Sequence, residues 1–108
     1  MRPTGIHRIH LYDRAVDMRK SFEGLSALIE QAFPGQLLSG SLFLFVNRRR
    51  NLLKILYWEG DGFVIWYKRL EQGTFSNCFD GCCELTRQQF LMFLEGVVPK
   101  RLNRRFSL

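Results

Sequence analysis

Cys78, Cys82 and Cys83 form the tightest cluster of metal-binding side chains in this sequence, and His7 and His10 are the only imidazoles that could join them. A structural zinc ion takes four ligands, commonly in two separated pairs. Three clustered thiols with both histidines far upstream match that pattern poorly, so no metal site is assigned and the cysteines are read as free or buried thiols. His7 and His10 are three residues apart in a segment that alternates like a strand. Alternation sends them to opposite faces, which defeats shared ligation; both are expected at the surface. The carboxylates Asp13, Asp17, Glu59, Asp61, Glu71 and Glu84 form no two-metal triad. A phosphate-binding glycine loop, a serine elbow and a paired Cys/His are likewise missing from the sequence. No catalytic residue and no cofactor are assigned, and the expectation is a protein that is not an enzyme.

Arg48-Arg49-Arg50 is a different kind of feature. Three adjacent guanidiniums repel one another, and a turn between two strands has no structural need of them. Planar, multidentate donors suit phosphate oxygens well. Arginine also stacks on rings, and Tyr57, Trp58, Trp66 and Tyr67 follow nearby. The plain alternative is a solvated turn whose charge discourages edge-to-edge association. The net charge of the chain is +6, and it is unevenly spread: residues 48–69 hold six basic against two acidic side chains, and residues 96–108 hold four basic and no acidic ones. Such a distribution favours anionic partners: nucleic acid, anionic lipid or an acidic protein face.

The elements that position these residues can be read from spacing. Ile9 and Leu11 alternate with His10 and Tyr12, giving a short first strand. Asp17 is placed as a helix N-cap, followed by an apolar stripe from Met18 through Phe22, Leu25, Leu28, Ile29 and Ala32 to Phe33. Pro34-Gly35 ends that helix, and Gly24 within it is expected to allow close packing on the sheet. Leu42 to Val46 is continuously apolar, as in a strand buried on both faces. Leu52 to Trp58 and Phe63 to Leu70 flank Glu59-Gly60-Asp61-Gly62, a hairpin signal. A turn centred on Gly60-Asp61 pairs Trp58 with Phe63, Leu56 with Ile65 and Lys54 with Tyr67. That register gathers Lys54, Lys68 and Arg69 with the arginine turn at one edge of the sheet. Thr86 to Gln89 forms a capping box for a second helix that Gly96 ends.

The fold predicted is α+β: a two-layer domain in which two helices pack on an antiparallel sheet, made of a meander of three or four strands plus an N-terminal strand. At 108 residues the chain is expected to be one domain, residues 1–98, with a basic tail over residues 99–108. No apolar run reaches signal-peptide or membrane-span length, and an odd number of cysteines suits a reducing compartment. A cytoplasmic protein with no membrane and no small-molecule partner is expected.

Several of these blocks recur together in one family. Leu38-Ser39-Gly40, Asn47-Arg48-Arg49-Arg50, Lys54 to Trp58, Asp61-Gly62-Phe63 and Trp66 to Glu71 run almost continuously into Gly73 and Phe75. Asp17 to Phe22 with Gly24-Leu25 stands upstream, and Leu85-Thr86 and Leu94-Glu95-Gly96 stand downstream. The set closely resembles the TnpB-type accessory protein, the second open reading frame product, of the insertion-sequence sixty-six family, across roughly residues 9–97. The resemblance implies a bacterial mobile-element protein that works alongside a separate, larger transposase carrying the catalytic acids. Relatives usually continue after the Phe75 position with an aromatic-proline pair, where this chain has Ser76-Asn77-Cys78. On this basis Arg48, Arg49, Arg50, Lys54, Lys68 and Arg69 are expected to contact phosphates of element-end DNA, with Arg101, Arg104 and Arg105 of the tail adding non-specific affinity. The competing expectation is a module that docks the transposase or another transposition protein, with Asp17, Arg19, Trp58 and Trp66 on the docking face.

Overall fold

A computed structural model of the chain describes residues 8–76 and 83–98. Its organising element is the strand Leu42–Val46, five apolar residues all of which are buried. Side chains alternate along a strand, so Leu42, Leu44 and Val46 face one way and Phe43 and Phe45 the other. Each set anchors its own cluster. Phe43 and Phe45 pack with Leu25 and Ile29 of the helix Phe22–Ala32, whereas Leu42, Leu44 and Val46 pack with Phe75 and with Phe93 of the helix Arg87–Glu95.

In chain order the elements are β1 (Ile9–Leu11), α1 (Phe22–Ala32), β2 (Leu42–Val46), β3 (Leu52–Trp58), β4 (Phe63–Arg69), β5 (Cys83–Leu85) and α2 (Arg87–Glu95). The five strands form one sheet in the order β4-β3-β2-β1-β5. β1 runs parallel to β2, and the other neighbours are antiparallel. The α+β class stands, with two corrections to the predicted arrangement. The sheet is mixed, because α1 lies between β1 and β2 and provides the crossover that parallel neighbours require. The helices occupy opposite faces, giving three layers, because a strand apolar on both sides needs cover on both sides. The hairpin register is the predicted one throughout, from Trp58 opposite Phe63 to Leu52 opposite Arg69.

Local signals fared unevenly. Thr86 and Gln89 form the expected reciprocal cap: the Thr86 hydroxyl accepts from the Gln89 amide at 3.1 Å, and the Gln89 side chain accepts from the Thr86 amide at 2.8 Å. Asp17 does not cap α1, which begins at Phe22 with Ser21 as N-cap. Its carboxylate is occupied by Arg19 instead, as described below. Gly24 gives no close approach to the sheet; a methyl there would meet the Lys20 side chain at 3.3 Å. Tight packing is instead permitted at Gly73 (φ +80°), where a side chain would run into the Val97 carbonyl, and at Gly96, where it would meet Leu70. Both contacts lie beside the bridge between Thr74 and Val97, which fastens the end of α2 to the chain leaving β4.

His10 is not at the surface. β1 is an interior strand, and the imidazole is only 7% exposed, 4.7 Å from the Phe33 ring and stacked on Phe43 at 5.4 Å. Among the described residues its Nε2 has no hydrogen-bond partner. Burial holds its pKa below the ordinary 6.5, with Glu84 opposing the shift and Arg8 adding to it. A depressed histidine pKa means that the unfolded chain takes up its proton first as pH falls. Stability conferred by neutral His10 is thus complete above about pH 6.5 and is lost on acidification toward the lowered folded value. The unfolding free energy from urea titrations should fall as the pH drops below about 6.5. His10→Phe, which keeps the ring stack, should flatten that dependence.

Candidate functional site

The arginine turn is built by its flanking asparagines. At the end of β2, Asn47 Oδ1 accepts from the amides of Asn51 and Leu52, both at 3.0 Å, and Asn47 Nδ2 donates to Asn51 Oδ1 at 2.8 Å. The Arg50 amide donates to the Asn47 carbonyl at 3.0 Å. This closes a rigid loop over residues 48–50. Arg50 sits in the left-handed region at φ +58°, which costs a residue with a side chain about 1–2 kcal/mol. It is held there from outside the turn: its carbonyl accepts from the Phe75 amide at 2.7 Å, and its Nε donates to the Phe75 carbonyl at 3.3 Å. Arg50 is thus a structural tie, its side chain committed to the Phe75 carbonyl. Arg48 and Arg49 are exposed and, among the described residues, meet no hydrogen-bond or ion-pair partner.

Beside them lies a groove of about 540 Å³. One wall is the segment from Ala15 to Arg19, pinned to β2 where the Val16 amide donates to the Val46 carbonyl at 2.9 Å. The opposite wall is Asn47, Arg48, Arg49 and Leu52. Val16, Met18 and Leu52 give the groove apolar surface, and the two exposed guanidiniums give it a cationic rim. On the facing wall the Arg19 guanidinium grips Asp17, with Nη2 2.7 Å from Oδ2 and Nε within 3.2 Å of both carboxylate oxygens; the Arg19 amide adds a bond of 2.9 Å. Hydrogen bonding from the Arg19 side chain, then from its amide, pushes the Asp17 pKa down to about 2. Asp17 and Arg19 therefore neutralise each other, and the groove keeps the unbalanced charge of Arg48 and Arg49.

The remaining predicted cations separate. Lys54 lies on the α1 face, where its amine donates to the Lys20 carbonyl at 2.9 Å and sits 5.5 Å from the centre of the Tyr67 ring. Lys68 lies on the opposite face and donates to the Leu94 carbonyl at 2.8 Å, in the last turn of α2 where a cation is favoured. Arg69 is exposed opposite Leu52, 3.7 Å from Glu71. The tryptophans do not share a surface either. Trp58 packs edge-on against Phe63 with ring centres 5.0 Å apart, whereas Trp66 is on the other face and 43% exposed. Arg101, Arg104 and Arg105 lie outside the described residues, as do His7, Cys78 and Cys82. No group of three or more His, Cys, Asp or Glu side chains among the described residues could hold a metal ion. No described helix is long and apolar enough to cross a membrane.

Sequence reasoning placed Asp17 and Arg19 in one role and Arg48 and Arg49 in another; the fold brings the two pairs to one groove. It missed Val16 and Leu52, which show no pattern until β2 is placed between them. Asn47 could have been found, since Asn-x-x-x-Asn around a charged loop is a turn-clamp signal. Asn47→Ala should lower unfolding free energy by about 1–3 kcal/mol, because two amides lose their acceptor. Arg50→Gly should change it by less than about 1 kcal/mol, relief of the left-handed strain offsetting the lost bond. Urea denaturation of the two variants measures both.

Comparison with known proteins agrees with the motif pattern. The family described as IS66 Orf2 like protein matches residues 7–104. Two proteins of Sinorhizobium fredii (strain NBRC 101917 / NGR234) are similar over most of their length. The uncharacterized protein y4jC is 30% identical over 100 residues, covering 91% of this chain and 86% of its own. The uncharacterized protein y4hO is 29% identical over 100 residues, covering 90% and 87%. No solved structure gives a significant match. The chain belongs to the IS66 Orf2-like family, whose role in insertion-sequence transposition is an accessory one.

Proposed function

We propose that this protein is a docking factor of the transposition machinery, and that the groove beside the arginine turn receives a segment of the transposase in which acidic residues flank apolar ones. The observation that carries this reading is the pairing of an apolar groove surface with two exposed guanidiniums that meet no partner among the described residues. Adjacent arginines held at a rigid turn relieve their mutual repulsion by binding carboxylates, and charge-assisted bonds of this kind are the strong ones. Val16, Met18 and Leu52 add affinity only for a ligand that brings apolar groups to cover them. A phosphate backbone brings none. A protein working beside a transposase acts in the cytoplasm and needs no catalytic residue of its own, since the partner supplies the chemistry.

Direct contact with element-end DNA is the second reading. It is favoured by Arg48, Arg49 and Arg69, all exposed and on or beside the α1 side of the sheet. It is weakened by Arg50, Lys54 and Lys68, whose donors are already committed to main-chain carbonyls. The two readings separate on the apolar wall. Calorimetric titration with the transposase should show Arg48→Glu/Arg49→Glu binding about tenfold or more weakly, and Met18→Gln should also weaken it. A DNA site would respond to the arginine change with a steep salt dependence and would ignore Met18→Gln. Wild-type affinity in both variants sinks the docking proposal.

A further inference from the structure

β4 is an edge strand of seven residues, Phe63–Arg69, and none of them is buried. Trp66 is 43% and Tyr67 54% exposed, although β3 beside it is largely covered. Sheet edges of this length are usually blunted by proline, a bulge or a charge in mid-strand. β4 has no proline, its register with β3 is unbroken over seven pairs, and its charges lie at one end. Lys68 cannot guard the edge, since its amine is held by the Leu94 carbonyl. Among the described residues no strand flanks the outer side.

The direction of the unused hydrogen bonds can be worked out. Glu59 donates to the Gly62 carbonyl at 2.8 Å and Leu70 to the Asn51 carbonyl at 2.9 Å, which fixes the bonded pairs at both ends of the hairpin. Bonded and non-bonded pairs alternate in an antiparallel ladder. Val64, Trp66 and Lys68 therefore point their amides and carbonyls at β3, while Phe63, Ile65 and Tyr67 point theirs outward.

We propose that β4 pairs antiparallel with β4 of a second copy of this chain, about a twofold axis at Ile65, to give a continuous ten-stranded sheet. In this register Ile65 meets its own mate and Phe63 meets Tyr67 of the second copy. Roughly six main-chain hydrogen bonds form from groups that no strand among the described residues uses. Two cross-strand aromatic pairs close over the edge. Charge favours this register: Asp61, in the hairpin turn before β4, comes nearest Arg69 of the second copy, twice by symmetry. Shifting the axis by one residue, to Trp66, would carry Asp61 past Arg69 of the second copy. The axis stands perpendicular to the sheet, so both arginine-turn grooves open on the same side of the dimer.

Sedimentation equilibrium of the full chain should give twice the 12.8 kDa chain mass at micromolar concentration. Asp61→Arg and Arg69→Asp should each raise the dissociation constant about tenfold or more, and the double reversal should restore dimerisation. Tyr67→Pro should give a folded monomer, since the lost amide points away from β3; circular dichroism confirms the fold. Hydrogen exchange should protect the amides of Phe63, Ile65 and Tyr67 in the wild-type dimer and leave those of Phe63 and Ile65 open in that monomer, where position 67 has no amide hydrogen. A wild-type monomer overturns the proposal, as does a dimer indifferent to both reversals. A monomer with those amides already protected also overturns it, because another segment of the same chain then holds the edge. So does protection that arises only when the transposase is added.

Discussion

β2 has no side that water can reach, and most of the architecture follows from that constraint. A strand whose alternate residues are Leu42, Leu44 and Val46 on one face and Phe43 and Phe45 on the other must be central and covered twice. The chain meets the requirement with two helices of different origin. α1 is threaded between β1 and β2, which makes those strands parallel, and α2 comes from the end of the chain and is fastened by the bridge between Thr74 and Val97. The burial of His10 is part of the same outcome. An imidazole on an interior strand has to stack and stay neutral, and the position between Phe33 and Phe43 imposes both.

The arginine turn inherits its geometry from β2. It is the loop by which the most buried strand leaves the core, so its base is fixed by the ladder between β2 and β3 and by the Asn47–Asn51 clamp. Within six cationic side chains of one sequence block, the fold then divides the labour. Arg50, Lys54 and Lys68 each donate to a main-chain carbonyl, tying the turn, α1's approach and α2's end to the sheet. Arg48 and Arg49 are left with no such duty. Charge density alone cannot distinguish a cation that holds the fold from one that is available to a partner; the hydrogen-bond partners do.

What could be read from the sequence was local or periodic. The hairpin register, the capping box of α2 and the two-sided burial of β2 depend on neighbours close in the chain, and each was legible. The parallel pairing of β1 with β2 was not, because it is decided by where a thirty-residue excursion returns, and no short spacing encodes that. The first helix was placed one turn early for a related reason. Asp17 is a good cap by type, but Arg19 two residues on outcompetes the helix amides for its carboxylate. The site was half legible: the arginines announced themselves by charge, whereas Val16 and Leu52 are unremarkable apolar residues until the turn and the segment after β1 are laid side by side.

The sheet's two edges are managed differently, and the contrast bears on how a small accessory protein can be built. β5 has only three residues, so it presents little ladder to a stranger, and Arg8 lies 3.8 Å from Glu84 on it. β4 is more than twice as long and carries aromatic residues on both faces. Much of the chain's apolar inventory goes to the two clusters that cover β2. β3, next to β2, has Leu53, Ile55 and Leu56 buried in the two clusters that cover β2, whereas no residue of β4 is buried and no described strand lies beyond it. Its exposed rings are therefore the residue of a small sheet with a single well-covered centre. Such an edge is either a hazard or an interface. Opposite charges at the two ends of β4, Asp61 in the turn before it and Arg69 at its end, are what a self-complementary edge needs, and they argue for an interface.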